Sequence, residues 1–398
     1  MSDYTYLDPI FLESYRALEG LPLLRDSKPQ VREVPMATVL PFRAEDGRRA
    51  AGVVDEYGSY VDLSSFDALS PVDSWSGSYE VSTTEMSKVP RVMYLGRLWR
   101  HWGHFLMDLV SRLWYVREVE PDIPIVYDGE DDLGDVYESF FRYLGIGAQQ
   151  LMRIDQPTTF ETVVVPECSH VPGRFVYPAF TELFEYVAER ALREVEDLDA
   201  YKDRDVYLTR THLKRRIPYE VGEEDLEAIH AANGYEIVAP ETLSLAQQIA
   251  TVRLARNIAC LSGTIPHNMM FAHSGASITI FRKSYKPVYR QVGVNQARDL
   301  RVCYVDAHIS PRPVGASGPF VVDINDNVRR YARDHGLTLE GAAAIKGGKE
   351  LKRRLWYEVL YRLRNRGGNP HVPIFDGREF VSSLETDREL SRYYEGRW

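Results

Sequence analysis

Two residues one helical turn apart in the segment RHWGHFLMDLVSRLW, His104 and Asp108, have the types and spacing for acid–base chemistry. In a helix, side chains at i and i+4 lie one above the other, so the carboxylate can orient the imidazole or accept a proton beside it. At about 100° per residue, Phe105, Leu106, Leu109, Leu113 and Val116 make an apolar face, with His104, Asp108 and Ser111 opposite. The same spacing suits a surface capping or structural pair. Trp102 and Gly103 alongside are compatible with close approach of a substrate.

Three further segments carry groups suited to a phosphorylated ligand. LTRTHLKRR (208–216) follows a strand pattern, and its Arg210, Lys214, Arg215 and Arg216 can neutralise a diphosphate at a strand end or form a solvated basic loop. In LSGTIPHNMMFAH, Ser262, Gly263 and Thr264 allow a tight turn exposing backbone N–H groups at the next helix start, with His267 and Asn268 as added polar contacts. That segment lacks the full phosphate-loop and dinucleotide fingerprints. Glu241, followed by Ser244 and Gln248, trails the strand YEIVAP, where a carboxylate can accept from ribose hydroxyls or serve a helix start. No G-x-S-x-G elbow and no H-E-x-x-H occurs, and His101 with His104 would need further ligands to hold zinc.

The elements that must position these groups alternate. VMYLG (92–96), IPIVYD (123–128), LMRID (151–155) and TVVVP (162–166) read as strands, with helices over 101–118 and 133–144 and then 178–195. The pattern restarts after a charged stretch at 194–204. DVYLTR, YEIVAP, NIACLSG, SITIFR and RVCYVD then alternate with helices over 222–232 and 244–253. The expected fold class is α/β, a mainly parallel sheet covered by helices. Helical patterns also cover 327–335 and 349–364, the second basic on one face and apolar on the other, as on a packed surface helix or a membrane or partner contact.

The whole chain has 398 residues, 44% apolar, 27% charged and 12% aromatic, an ordered globular composition large enough for two domains. With 48 basic against 58 acidic residues, a formal charge of -10 disfavours nucleic acid as a partner. Three distant cysteines, Cys168, Cys260 and Cys303, lack metal-ligand spacing and suit a reducing compartment. No run nears the ~20 apolar residues of a membrane span, and MSDYTYLDPIFLESY lacks the features of a secretory leader. The expectation is a cytoplasmic protein, with peripheral attachment at the inner face of the membrane or to a biosynthetic complex left open.

Taken in order, WGHFLMDLVSRLW (102–114), VYLTRTHLKRR (206–216), the series Pro240, Glu241, Leu243, Ser244, Leu245 and Gln248, and LSGTIPHNMMF resemble glycosyltransferase family 61. This family was formerly a domain of unknown function in capsular polysaccharide biosynthesis proteins, shared with plant xylan and animal protein O-glycan transferases. The resemblance covers roughly residues 90 to 285. It implies a GT-B-like architecture: two Rossmann-like domains facing across a cleft, with residues 1–200 as the acceptor-side domain, irregular over its first 85 residues. Residues 201–322 would be the nucleotide-sugar domain and 323–398 a helical extension packing back on the N-terminal domain.

The implied activity is inverting transfer of a hexosyl or pentosyl group from a nucleotide-diphosphate sugar to a glycan hydroxyl, without a tightly bound cofactor or metal. His104 and Asp108 match the family's histidine and acidic positions, Arg210 its arginine after the first strand of the second domain, and Arg215 or Arg216 its downstream basic position. Glu241 and Gln248 match the acidic and glutamine positions, with Gly263, Thr264, His267 and Asn268 at the donor turn. Many members carry a G-x-H-G-A-like element where this chain has SGTIPHN, so His267 is displaced from that histidine. Asp108 is the expected base with His104 orienting it, the opposite division being open. A sugar-nucleotide hydrolase or epimerase and a non-catalytic carbohydrate-binding protein stand as alternatives.

Overall fold

Runs of Val, Ile and Tyr bounded by polar turns form strands because branched and aromatic side chains pack well on a pleated surface. In the computed structural model of the protein, these runs pair into two large sheets. The structure describes residues 2–45, 47–67, 74–81, 83–213, 220–284, 288–309 and 320–340. The chain opens with β1 (Asp3–Tyr6) and α1 (Pro9–Glu19). It divides into two compact units, residues 22–194 and residues 1–21 together with 195–398.

The 22–194 unit is built on a mixed sheet of β2 (Val31–Glu45), β3 (Arg48–Val54), β4 (Glu85–Met86), β5 (Arg91–Leu98), β6 (Ile125–Gly129), β7 (Leu151–Arg153) and β8 (Thr158–Pro166). The order is β3-β2-β8-β5-β6-β7, with β4 against β8. β2 runs antiparallel to β3 and β8, whereas β8, β5, β6 and β7 run parallel. The parallel strands stand in the order 3-2-1-4, so chain direction reverses beside β5, where open α/β sheets leave a crevice at their carboxyl ends. Val34, Val53, Tyr94, Val126, Phe160 and Val163 form the core on this sheet.

The segment after β5 comprises α2 (Trp102–His104), a π turn (Phe105–Leu109) and α3 (Trp114–Glu118). α4 (Asp135–Leu144) packs on α5 (Pro178–Leu192), and a small hairpin of β9 (His170–Val171) and β10 (Phe175–Val176) lies between β8 and α5 in the chain. Proline at the first position of α5 gives up no hydrogen bond there, and Phe180, Leu183, Phe184 and Val187 bury the stripe that the sequence presents. Arg112, 1% exposed, ties this unit together: its guanidinium donates to the carbonyls of Pro166, Leu95, Leu63 and Ser65.

The other unit has an all-parallel sheet. β11 (Asp205–Leu208), β13 (Glu236–Val238), β14 (Asn257–Leu261), β15 (Ser277–Arg282) and β16 (Arg301–Asp306) join β1 in the order β1-β16-β15-β14-β11-β13. Leaving β1 aside, that is the 2-1-3-4-5 order of a doubly wound sheet, whose switch point lies between β11 and β14. Burial on both faces explains the near-continuous apolar runs of Ile258 to Leu261 and Ile278 to Phe281. A smaller sheet joins β12 (Glu220–Val221), β18 (Phe320–Val322) and β17 (His308–Ile309). The helices are α6 (Glu223–Ala232), α7 (Leu245–Leu254), α8 (Tyr289–Ala297) and α9 (Asp326–Asp334).

Two expected groupings differ from this arrangement. Residues 1–21 are a strand and a helix on the second unit's sheet, rather than an irregular start of a domain spanning 1–200. The edge of β16 offers unpaired backbone, and Tyr6 and Tyr15 find aromatic partners there in Tyr331 and Tyr304. α9, the first part of the expected 323–398 extension, packs on β1 and β16, while the helix expected over 349–364 lies outside the described residues. Among the described residues no helix is long and apolar enough to cross a membrane.

Candidate active site

The first candidate centre grows from the carboxyl end of β5. The His101 ring caps the turn by accepting the His104 N–H at 3.4 Å. The backbone then widens, with the Val110 N–H reaching Phe105 O at 3.2 Å. Such π turns recur at functional sites because the extra residue re-aims a side chain.

The expected continuous, two-faced helix over 101–118 is therefore corrected. It is broken at the π turn, and Asp108 and Ser111, expected on an open face, are 2% and 1% exposed. Polar partners replace water on that side. Ser111 donates to Asp108 O, Ser169 donates to Ser111 O, and His170 Nδ1 lies 2.5 Å from Met107 O. On the apolar side Phe105 meets the edges of Phe140 and Phe141.

His104 Nδ1 stands 2.5 Å from Asp108 Oδ2, with 19% of the His104 side chain open to solvent against 1% for Asp108. With Asp108 ionised, and so only able to accept, Nδ1 is the donor in this contact and Nε2 keeps the basic lone pair. Trp99 and His101 flank the His104 ring at 5.5 and 4.5 Å between centroids.

The second centre lies at the carboxyl edge of the all-parallel sheet, where its order reverses. Arg210 follows β11, Gly263 follows β14 and Lys283 follows β15, so neighbouring strands bring the three together. Glu220, buried at the start of β12, holds both cations: Oε1 is 3.4 Å from Arg210 Nη1 and Oε2 is 3.1 Å from Lys283 Nζ. Glu223 Oε1 accepts the Arg210 N–H at 3.1 Å.

Gly263 has φ +143°, and an added Cβ would stand 3.0 Å from Arg210 Nη1 and 3.6 Å from Lys283 Nζ. Glycine thus lets both cations lie close against the backbone of this turn. Burial lowers Lys283 to about 8 against the opposing pull of Glu220.

The remaining sequence candidates separate. Thr264 is partly exposed at the head of Ile265–Phe271, a single 3-10 segment and not the expected helix. His267 is buried, with Nδ1 3.0 Å from Gln291 Oε1; Gln291 donates to Asn295, which donates to Tyr304 and Glu19. That is a structural polar chain beneath α8. Asn268 is likewise buried, 4% exposed.

Gln248 donates to Leu243 O at 3.1 Å, holding the turn before α7, whose start Ser244 and Gln247 close as a capping box. Glu241 is exposed past the end of β13. Lys214, Arg215 and Arg216 lie outside the described residues.

Sequence reasoning passed over Lys283 and Glu220. The available signal for Lys283 was its place one residue beyond the strand SITIFR, level with the positions already chosen after two other strands. Glu220 carried none, since it sits on a two-residue strand. Among the described residues no group of three or more His, Cys, Asp or Glu side chains is arranged to hold a metal ion.

No curated protein matches the chain. The family model described as Glycosyltransferase 61 matches residues 102–279, from the start of α2 into β15, and so takes in the His104–Asp108 pair, Arg210 and Gly263. Over that region the chain is similar to the glycosyltransferase 61 family, whose activity at the level of the family is sugar transfer, and its own fold is α/β with one mixed and one all-parallel sheet.

Proposed function

We propose that the protein transfers a sugar from a nucleoside-diphosphate donor to a hydroxyl of a glycan acceptor, with inversion at the anomeric carbon. The observation that carries this reading is the His104–Asp108 contact of 2.5 Å inside the matched family region. His104 Nε2 takes the acceptor proton as the oxygen attacks, and Asp108 steadies the imidazolium that forms. This assigns the base to His104 rather than Asp108, because the carboxylate is almost wholly enclosed.

As the bond from the anomeric carbon to the diphosphate breaks, negative charge develops on the leaving group. Arg210 and Lys283 stabilise it above Gly263, and Glu220 holds both cations in place beforehand. Their positive charge supports a donor site that works without a resident metal. Glu241, exposed past β13, is the proposed contact to the donor ribose. Thr264 offers a further contact beside the diphosphate.

Titration of the purified protein with uridine, guanosine, cytidine and thymidine diphosphate sugars tests the donor site. One of them should bind, and Arg210→Ala should weaken it by roughly one to two orders of magnitude, as expected when a charged contact is lost. With that donor and a glycan acceptor, nucleoside diphosphate should appear only when acceptor is present. Release into water alone at the same rate would make the protein a hydrolase, and binding of glycan without any nucleotide sugar would remove the transferase reading.

A further inference from the structure

β5 carries more than the His104 turn at its carboxyl end. Arg97, partly exposed, lies with its guanidinium carbon 4.1 Å from the centre of the Phe42 ring and 5.6 Å from that of Trp99. Trp99 in turn faces His104 at 5.5 Å. Among the described residues Arg97 makes no hydrogen bond or ion pair, and its Nε is buried with no acceptor. A guanidinium has five donors in a planar fork that matches an oxyanion, and leaving them unmatched beside an aromatic surface is unusual for a structural arginine. Arg112 in the same unit shows the contrast, with every carbonyl around it engaged.

The neighbouring acids are occupied. Asp132 pairs with Arg100 at 2.7 Å, Asp131 pairs with Arg153, and Glu130 accepts the Arg100 N–H. Asp128 is the Cα partner of Arg97 across β5 and β6, yet its Oδ2 accepts the Phe42 N–H at 3.1 Å and it forms no ion pair with Arg97. Phe42 thus seats the arginine through its ring, its backbone held by Asp128, whose charge acts on Arg97 without a hydrogen bond between them.

We propose that Arg97 and Trp99 form an acceptor subsite for an anionic sugar, the oxyanion on the Arg97 fork and the sugar ring against the indole. The subsite rests on the reading of His104 as acceptor base, because Trp99 stands between the two. A carboxylate of a uronic acid and a phosphate on a hexose share this chemistry.

The test is binding of three probes to the full chain, each read by isothermal titration and by ligand-observed NMR: methyl glucuronoside, methyl glucoside and glucose 6-phosphate. The glucuronoside or the sugar phosphate should bind at least about tenfold more tightly than the glucoside, as for a bidentate charged contact. Whichever anion binds more tightly names the natural oxyanion.

Arg97→Gln should erase the preference, Arg97→Lys should keep part of it, and Trp99→Leu should weaken charged and neutral sugars alike. Thermal melts of each variant separate this from misfolding. Equal affinity for charged and neutral probes, no binding of either anion at tens of millimolar, or a preference that survives Arg97→Gln in a folded sample would overturn the proposal. The outcome is separable from the transferase reading, since a failed donor titration leaves the probe data standing.

Discussion

The two candidate centres solve the problem of placing charge in different ways. In the 22–194 unit the chemistry sits in one contiguous turn, where a widened helix brings His104 onto a buried carboxylate four residues later. In the other unit it is assembled from the ends of three parallel strands and a fourth short one, with Glu220 bridging Arg210 and Lys283. The first arrangement depends on local backbone geometry and few partners. The second depends on the register of the whole sheet, so it ties the proposed donor chemistry to global stability.

The largest expected effect falls on the local centre. His104→Ala should lower turnover by about 10²–10⁴-fold, the usual share of a general base, while nucleotide-sugar affinity stays within twofold of the parent. Steady-state kinetics with the donor found by titration measure this, and an affinity loss matching the turnover loss would erase the distinction between the centres. Asp108→Asn should retain more activity than His104→Ala, since the imidazole remains. Its pH–rate profile should show the limb reporting the base displaced to lower pH, because the imidazolium loses its carboxylate.

Next comes Arg112→Leu, which leaves four carbonyls, two buried and two partly buried, without this donor. It should cost on the order of 3–5 kcal/mol, by analogy with other broken buried charge networks. Denaturant melts should show the 22–194 unit unfolding earlier, with donor binding retained until the other unit melts.

At the assembled centre, Gly263→Ala meets both a left-handed backbone at φ +143° and the Arg210 guanidinium 3.0 Å from the new Cβ. The expected cost is about 1–3 kcal/mol of stability together with weaker donor binding. Calorimetry and nucleotide titration report the two losses separately. A variant with full donor affinity would show that the turn at Gly263 is not the phosphate cradle.

The smallest effect should run the other way. Burial pushes Asp128 up to about 6 from 3.8, with the Phe42 N–H and the Arg97 charge opposing it. Both states hold the proton below about pH 4, so no penalty exists there. Between about pH 4 and 6 the unfolded chain gives up this proton while the folded state keeps it, so stability falls across that window and the full penalty stands above about 6. Asp128→Asn should therefore raise stability at pH 7.5, by up to roughly 2–3 kcal/mol for a shift of this size, and by far less at pH 4. Thermal melts at the two pH values check the sign.

The legibility of the two centres in sequence follows the same contrast. His104 and Asp108 were readable because one turn of helix relates them. What escaped was their burial, since the local π turn breaks the helical period and the polar cover from Ser169 and His170 comes from residues some 60 positions away. Alternation revealed the parallel strands and hence Arg210 and Gly263 at their ends. It hid Lys283 behind an apolar strand, and Glu220 on a strand too short to leave a period. His267 illustrates the opposite error: a polar residue near a glycine turn looked like a ligand contact, but α8 supplies Gln291 to satisfy it inside. The helix over Pro9–Glu19 was equally hidden, because its apolar residues face a sheet strand made some 290 residues later.

That late partnership has a consequence for synthesis. β1 leaves the ribosome some 300 residues before its partner β16, which it meets through Asp3 with Cys303 and Tyr6 with Val305. The entire 22–194 unit is translated in the interval, and its own mixed sheet needs nothing from either flank to pair. During that time Tyr6, Phe11 and Tyr15 have no core to enter, and once β16 is made its outer edge stays bare until the N-terminal segment returns. Closure of a loop this long makes that return a slow step. A nascent chain stalled between Glu194 and Arg301 would therefore display a finished domain flanked by a sticky N-terminal arm, a species for a holding chaperone to shield.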